Sequence, residues 1–405
     1  MQTSQSFDNL DSFSNSDNFS DDYPILDVDQ WNLEIDNFAE EDLSPKKQTS
    51  RAMTSFNIMK TIIGGGIFAT PSAFEKCGFV FGLFLVFGLG GIFYWSILTL
   101  TKASIKSEKK TLQSLTKFCF GERGEVLLNF TLFLIAWGAM ASYTVIIGDV
   151  LPDILSHAIG TEVNHPKNNV FVNAIISRRG QVILTSFFIL FPVSMAKTLA
   201  PLAKYSGFAL SAIFFISLSV LFVGPTLEGG PNPGSAVLLT VIIGLAYLTF
   251  RENSQSNILN SFPVDNTIIS FCRFLFAFDM FFTYPLELFI ARDTIQQALF
   301  RTPNISKENH LIFTILILLS TIIVGCSTCQ LGMILELSGG VTASVIAFIL
   351  PSACWLKVNS IIGIKLGIKE RIAHLSLITF GFAVMILTFL MTIYEGFNEN
   401  NPKKQ

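Results

Sequence analysis

The stretch TSFNIMKTIIGGGIFATP, residues 54–71, decides how the rest of this chain can fold. It is apolar enough to enter a bilayer, yet three consecutive glycines and a proline interrupt it. Each glycine costs a helix interior about 1 kcal/mol, and lipid offers no water to backbone groups that the helix leaves unpaired. Any non-helical backbone here must therefore be buried against protein or line a cavity.

Two interpretations of this interruption stay open. Secondary transporters place substrates and ions at interrupted helices, where half-helix ends and bare carbonyls bind them. Small residues are also common where two membrane helices pack closely, which would make the stretch a kinked helix that binds nothing. The glycines alone do not separate a binding site from a packing contact.

Composition places the chain among the polytopic helical membrane proteins, with an all-α fold class. Half of the 405 residues are hydrophobic, 14% are charged and the mean hydropathy is +0.54, whereas a soluble chain carries more surface charge. Apolar runs long enough to cross a bilayer recur almost to the C-terminus. About ten apolar segments are predicted, at residues 53–77, 79–101, 126–151, 181–197, 205–225, 235–250, 267–291, 310–329, 332–356 and 372–394.

Basic residues set the predicted orientation of these segments. Lys46, Lys47 and Arg51 precede the first segment, and six basic residues between 102 and 123 follow the second. Cytoplasmic loops carry such an excess, so both stretches are predicted to be cytoplasmic. The pair Arg178-Arg179 violates this rule, because it falls in a loop predicted to lie outside.

The segment 235–250 conflicts with this alternation. It has about 16 residues, fewer than a usual crossing. A crossing there would turn the later basic cluster at 365–371 to the outside. The conflict disappears if the segment is re-entrant, beginning and ending outside, or if one neighbouring span is missing from the chain.

The ends of the chain differ from its apolar middle. Residues 1–50 are predicted to form a disordered acidic cytoplasmic tail, residues 51–396 the membrane domain, and residues 397–405 a polar C-terminal tail. Within the first tail, Tyr23-Pro24-Ile25-Leu26 matches a tyrosine-based sorting signal that a cytosolic adaptor would read. Four-residue matches of this kind are frequent by chance.

No residue pattern points to an enzyme or to a nucleic-acid-binding protein. The four histidines have no metal spacing, and no nucleophile motif is present. A phosphate-cradling loop and a basic stripe are also absent from the sequence. We therefore predict no catalytic residue, no metal site, no cofactor and no nucleic-acid partner.

Several motifs in a fixed order resemble the amino acid/auxin permease superfamily, especially its sodium-coupled neutral amino acid transporter branch. They are residues 56–71, TYPLE at 283–287, ELSGG at 336–340 and PSACWLK at 351–357. Their order and spacing hold from about residue 50 to 395. The resemblance implies a bacterial leucine transporter-like, APC-type inverted-repeat bundle, usually of eleven helices, whose first and sixth helices unwind around an amino acid.

The resemblance also implies two groups of site residues. Free backbone groups of the glycine stretch would hold the carboxylate and ammonium of the substrate, and further contacts come from the third helix. The predicted substrate-binding residues are Gly64, Gly65, Gly66, Ile67 and Tyr143. The predicted residues for ion or proton coupling are Lys60, Asp279 and Thr283.

Lys60 departs from the sodium-coupled branch, which usually has asparagine there, and is similar to the proton-coupled and vacuolar branches. A buried ammonium needs a partner, and Asp279 lies deep in an apolar helix, one turn before Thr283. We expect a Lys60–Asp279 pair that replaces Na⁺ and titrates in a proton-coupled cycle. Two structural alternatives stay open: a pair that only joins two helices, or Asp279 paired with nearby Arg273.

A second departure is that the sixth helix of the superfamily has no counterpart. After Gly224-Pro225 the chain passes through GGPNPG at 229–234 to a stretch that resembles the seventh helix. The loss removes half of the expected substrate cradle, which would impair transport. It also accounts for the conflict at 235–250.

Four further carboxylates are given structural interpretations. Glu287 is expected to satisfy backbone opened by Pro285, and Glu336 to lie at the start of a helix, where the dipole favours it. Asp149 and Asp153 are expected to be solvated at a helix exit.

The implied function is secondary active transport of neutral amino acids, coupled to Na⁺ or H⁺, in the plasma membrane or an endolysosomal or vacuolar membrane. The alternative is a non-transporting membrane protein that senses amino acids and uses the acidic tail to bind a partner. Deleting the tail separates them, because a transporter keeps uptake whereas a sensor loses its partner. A channel is disfavoured, since no ring of charges or repeated pore loop is visible.

Overall fold

The computed structural model describes residues 69–160, 169–195, 206–223, 257–263, 266–300 and 307–399. Within these ranges every regular element is helical, which confirms the predicted all-α class. The helices are α1 (Thr70–Cys77), α2 (Phe79–Ser107), α3 (Leu112–Ile159), α4 (Val170–Ile176), α5 (Arg178–Thr185, continued by a π-helical turn at Ser186–Leu190 and by Phe191–Ser194), α6 (Ser206–Val223), α7 (Thr267–Phe300), α8 (Lys307–Ser327), α9 (Leu331–Ile362) and α10 (Ile368–Glu399). A short 3₁₀ turn, Ile258–Ser261, precedes α7.

Six helices of the described part are long and apolar enough to cross a membrane: α2, α3, α7, α8, α9 and α10. The chain is therefore a multi-pass membrane protein, as predicted. The shorter helices α5 and α6 coincide with two further predicted segments. The predicted segment 235–250, and all of 53–77 before Ala69, lie outside the described residues.

The centre of the bundle is the contact between α3 and α7. α3 is the most buried of the six long helices, whereas α2 and α10 are the least buried. Met140 and Ile147 of α3 pack in one apolar cluster with Phe276, Met280 and Leu288 of α7. The outer helices instead expose large apolar side chains to the surroundings, as helices in contact with lipid do.

A break at Gly121 divides α3. At about 1.5 Å per residue its 48 residues span about 72 Å, far more than the roughly 30 Å of a hydrocarbon core. Gly121 has φ 69° and ψ −163°, a conformation that strongly disfavours residues with a Cβ atom. The first turns of α3 are thereby separated from the part that crosses the bilayer.

Ring contacts fix the relative direction of α6 and α7. The rings of Phe208 and Phe278 are 5.6 Å apart, and those of Phe215 and Phe271 are 5.8 Å apart. Residue numbers rise along α6 as they fall along α7, so the two helices are antiparallel. The last residue of α6 and the first of α7 therefore lie at the same end of the bundle.

Polar contacts between helices lie at both ends of the bundle. The basic residues predict that one of these ends is cytoplasmic and that the other is outside. At the predicted cytoplasmic end, the Lys106 ammonium of α2 donates to the Asn359 side chain of α9 over 2.6 Å. At the other end, Lys76 of α1 lies 3.0 Å from Glu336 of α9 and 3.2 Å from Glu395 of α10. The alternating helix directions agree with the predicted order of cytoplasmic and outer loops.

The two aspartates at the outer end of α3 are paired, so the expectation that they are solvated is wrong. The Arg178 Nε donates to Asp149 over 2.8 Å, and its Nη1 donates to the Gly325 carbonyl over 2.6 Å. Asp153 lies 3.8 Å from the buried Arg273. Because Asp149 neutralises the charge of Arg178, this arginine is tolerated at the outer end of the bundle.

The expected helix start at Glu336 is also wrong. α9 begins five residues earlier, at Leu331, and Glu336 opens a π-helical turn, Glu336–Gly340, inside it. A second such turn follows at Ser344–Ile349. Here Ser338 packs onto Gly138 of α3 so closely that a Cβ at Gly138 would overlap it.

We predict that Asp149→Ala lowers the free energy of unfolding by about 3–5 kcal/mol, because it leaves the largely buried Arg178 without its carboxylate. The matched control is Glu125→Ala, which breaks the more exposed pair with Lys117 on the same helix and should cost about 0–1 kcal/mol. Unfolding in mixed detergent micelles measures both. Equal losses would show that the Asp149 pair does not stabilise the bundle.

Candidate functional site

A line of three polar side chains runs along α7 through otherwise apolar surroundings. Asp279, Thr283 and Glu287 follow one another at intervals of four residues. This spacing places them along one side of the helix over about 12 Å. Ionisable residues within an apolar membrane helix face the bundle interior or a water-filled cavity and mark functional sites.

Asp279 and Thr283 form the outer part of this line. The Asp279 side chain is 4% exposed. The Thr283 hydroxyl donates to the Asp279 carbonyl over 2.9 Å and also lies 3.3 Å from its carboxylate oxygen. The structure thus brings together two of the three predicted coupling residues, and the hydroxyl helps to orient the carboxylate.

Tyr143 of α3 reaches the same line from the opposite helix. Its side chain is 8% exposed and lies within electrostatic range of the carboxyl groups of Glu287 and Asp279. The neighbouring Ser142 hydroxyl is instead used by its own helix, where it donates to the Gly138 carbonyl over 2.9 Å. Of these two α3 residues, Tyr143 is therefore the one placed to contact a ligand beside α7.

Glu287 is a further candidate site residue, which the sequence analysis interpreted as structural. Pro285 leaves the Phe281 carbonyl without its intrahelical donor, and an ionised carboxylate can only accept hydrogen bonds, so Glu287 does not satisfy that carbonyl in its charged form. Among the described residues its side chain has no hydrogen bond or ion pair. The sequence feature that could have identified Glu287 is its position, two turns after Asp279 on the same side of an apolar helix.

Hydrogen bonds between three helices hold this site in place. The Tyr284 hydroxyl of α7 lies 2.7 Å from the Thr321 hydroxyl of α8. The Thr144 hydroxyl of α3 donates to the Thr321 carbonyl over 3.0 Å, and the Trp137 indole donates to Ser320 over 2.9 Å. These side chains fix α3, α7 and α8 relative to one another, and with them Tyr143 and the α7 carboxylates.

The alternative in which Arg273 pairs with Asp279 is not supported. The Arg273 Nη2 donates to the carbonyls of Leu259 and Phe262 over 3.0 and 2.8 Å, and the guanidinium lies near Asp153. The remaining predicted site residues lie outside the described residues: Lys60, Gly64, Gly65, Gly66 and Ile67. The Lys60–Asp279 pair therefore stays a prediction.

A cavity of about 320 Å³ lies between α1 and the beginning of α9. Its lining includes the small polar residues Thr70 and Ser72 and the ion pair of Lys76 with Glu336. This volume is at the lower end of the range for small-molecule sites. Ala69, the first described residue after the glycine stretch in sequence, is also among the lining residues.

Comparisons with known proteins agree with these features. The family model described as "Transmembrane amino acid transporter protein" matches residues 47–232 and 234–394. Vacuolar amino acid transporter 2 of Saccharomyces cerevisiae is 27% identical, over 87% of this chain and 85% of its own length. Putative sodium-coupled neutral amino acid transporter 11 of Danio rerio is 29% identical, over 77% of this chain and 80% of its own.

We predict that Tyr284→Phe lowers the free energy of unfolding by roughly 0.5–2 kcal/mol, because it removes the bond to Thr321 between α7 and α8. The control is Tyr394→Phe on α10, whose side chain is mostly exposed, and it should leave stability unchanged. Thermal unfolding in detergent measures both variants. Identical melting curves for the two would show that this hydrogen bond does not hold the site.

Proposed function

Because the chain belongs to the family of transmembrane amino acid transporter proteins, we propose that it carries neutral amino acids across a membrane by secondary active transport. The observation that carries this proposal is the polar line Asp279–Thr283–Glu287, which lies within electrostatic range of Tyr143 inside an apolar bundle. Carboxyl groups placed in this way serve ion and proton pathways in transporters. The relative from Danio rerio, named as a neutral amino acid transporter, supports the substrate class.

The proposed architecture is an APC-type inverted repeat of about ten apolar segments, in which the substrate lies where helices are interrupted. The glycine stretch, through Gly64, Gly65, Gly66 and Ile67, would supply backbone groups to the carboxylate and ammonium of the substrate. Tyr143 would contact the same substrate from α3. The cavity between α1 and α9 supports this placement, since it follows the glycine stretch directly.

Proton coupling is the proposed energy source. Lys60 would stand beside Asp279 where related transporters hold a cation, and Thr283 would orient the carboxylate. Na⁺ is the other candidate, and the name of the Danio rerio relative favours it. A lysine already supplies a positive charge at that position, so no sodium ion is needed there.

An endolysosomal or vacuolar membrane is the proposed location, supported by the vacuolar relatives from Saccharomyces cerevisiae and Schizosaccharomyces pombe. In this proposal residues 1–50 are a cytoplasmic tail, residues 51–396 the transporter domain and residues 397–405 a second tail. The stretch Tyr23–Leu26 would bind a sorting adaptor. Residues 1–50 and 400–405 lie outside the described residues, whereas residues 397–399 form the end of α10.

We further propose that one helix of the family is missing between α6 and α7. The antiparallel packing of these helices requires no crossing or two crossings between them, yet the sequence offers one apolar segment, 235–250. The family match is interrupted between residues 232 and 234. The alignment with the yeast relative has 416 positions but includes only 87% of this chain, so the relative has residues without a counterpart.

A missing helix favours one second candidate function, a membrane protein that binds amino acids without transporting them. Such a sensor would bind a partner through the acidic tail. Removal of residues 1–50 separates the two functions, because it abolishes partner binding by a sensor and leaves uptake by a transporter intact.

We predict that uptake of a labelled neutral amino acid into proteoliposomes follows an imposed pH gradient and persists when choline replaces external Na⁺. Asp279→Asn should lower this uptake at least tenfold, because it removes the carboxylate that pairs with Lys60. The control is Asp293→Asn on the same helix, where the side chain is exposed and accepts from Gln297. Loss of uptake in choline would establish Na⁺ as the driving ion.

We predict that restoring the missing helix raises uptake at least tenfold. The corresponding segment of the Danio rerio relative is inserted between Asn232 and Gly234, which gives two crossings between α6 and α7. A Gly/Ser-rich insert of equal length is the control, and it should not raise uptake. If the original chain transports as fast as the chimaera, no helix is missing from its working form.

A further inference from the structure

We propose that Glu287 is a proton-binding group of this protein, which takes up a proton on one side of the membrane and releases it on the other. The proposal rests on the proposed transport function, which it deepens by naming a second carboxyl group. Asp279 was the carboxylate that the sequence indicated, whereas the position of Glu287 emerges from the packing of α7 against α3.

The first observation is where Glu287 lies. It is half-buried on α7, about 12 Å along the helix from Asp279. Both carboxyl groups are within electrostatic range of the Tyr143 hydroxyl. Thr283 lies between them and already bonds to Asp279. Ionisable side chains inside apolar membrane helices serve as proton relays in pumps and transporters.

The second observation is that, among the described residues, none of the helices packed on α7 brings a cation to Glu287. α3 contributes Tyr143, and α6 and the Phe191–Ser194 turn contain no titratable residue. The titratable groups of α8 lie near its two ends, at Lys307, Glu308, His310 and Cys326.

On α7 itself, the nearest guanidinium toward the cytoplasmic end is that of Arg292, which is engaged elsewhere. It donates to the Thr314 hydroxyl over 3.0 Å, lies 3.4 Å from the Ser194 carbonyl, and sits above the Phe289 ring at 5.7 Å. Glu287 is therefore not the partner of a protein cation within the described part of the chain.

A carboxylate without a countercharge is unfavourable in such a place, because burial disfavours the charged form. A proton removes that cost without a coordination shell, whereas a metal ion or an ammonium group needs room and further ligands. A proton is therefore the cation that needs the fewest further ligands beside Glu287.

The chemistry is a reversible protonation. The Glu287 carboxylate accepts a proton from water on the acidic side, forms a neutral carboxylic acid, and returns the proton to water on the other side after the helices have moved. No bond other than O–H forms or breaks, and no oxidant or reductant is required.

The test is infrared difference spectroscopy of the full chain in lipid during a change of pH. A neutral carboxylic acid absorbs at a C=O frequency where a carboxylate does not. We expect a band from a protected carboxylic acid, persisting above the pH at which exposed carboxyls ionise, and we expect Glu287→Gln to remove it.

Glu308→Gln, at an exposed position on α8, should leave this band in place. Size-exclusion profiles and Glu287→Asp, which should move the band without abolishing it, control for folding.

Two results would overturn the proposal: no such band in the wild-type chain, or a band that survives in Glu287→Gln. Uptake gives a second readout, since Glu287→Gln should lose at least tenfold of the stimulation by an acid gradient while keeping exchange of one amino acid for another. Acid stimulation that is unchanged in this variant overturns the coupling role. Absence of uptake in every variant contradicts the transport function instead, and the infrared band then reports on Glu287 alone.

Discussion

The packing of α3 against α7 is the constraint on which the rest of the structure depends. In lipid, backbone polar groups must be satisfied within the protein, and ionisable side chains are kept where they face the interior of the bundle. α3 supplies that protection, since Met140 and Ile147 seal the contact with Phe276 and Met280. The bonds from Tyr284 and Thr144 to Thr321 then fix α8 to the same pair of helices. The polar side chains of α7 are tolerated because α3 and α8 pack against this helix and separate these side chains from lipid.

The opposite charges at the outer end show the same principle. Two arginines and two aspartates there would each be costly alone, and together they neutralise one another. Arg178 joins α5 to α3 through Asp149, and also reaches the Gly325 carbonyl at the end of α8. Pairs that are largely buried stabilise a structure weakly but are costly to break. They consequently specify which helix ends meet, and they give the short helix α5 a defined place beside the longer ones.

The parts of the fold that follow from local sequence were predictable. Apolar runs predicted the long helices, and the four-residue spacing placed Asp279 beside Thr283. What could not be predicted depends on contacts between distant residues. Arg178 looked like a violation of the charge rule because its partner, Asp149, comes from another helix. Glu287 looked structural because its neighbour Tyr143 is far away in sequence. Glu336 was wrongly interpreted as a helix-start residue, although the predicted segment 332–356 already began before it, one residue from the observed start at Leu331.

Lys76 contacts two carboxylates at once, and this limits how α1 can move. One ammonium group joins α1 to both α9 and α10 through Glu336 and Glu395, so α1 cannot tilt away from either helix without losing a shared restraint. All three side chains are more than a third exposed, and each such contact contributes only about 0–1 kcal/mol in water. These ion pairs therefore restrain α1 against two particular helices, yet they are weak enough for thermal motion to break them. Salt in the adjoining compartment would loosen it further, because ions screen exposed charges.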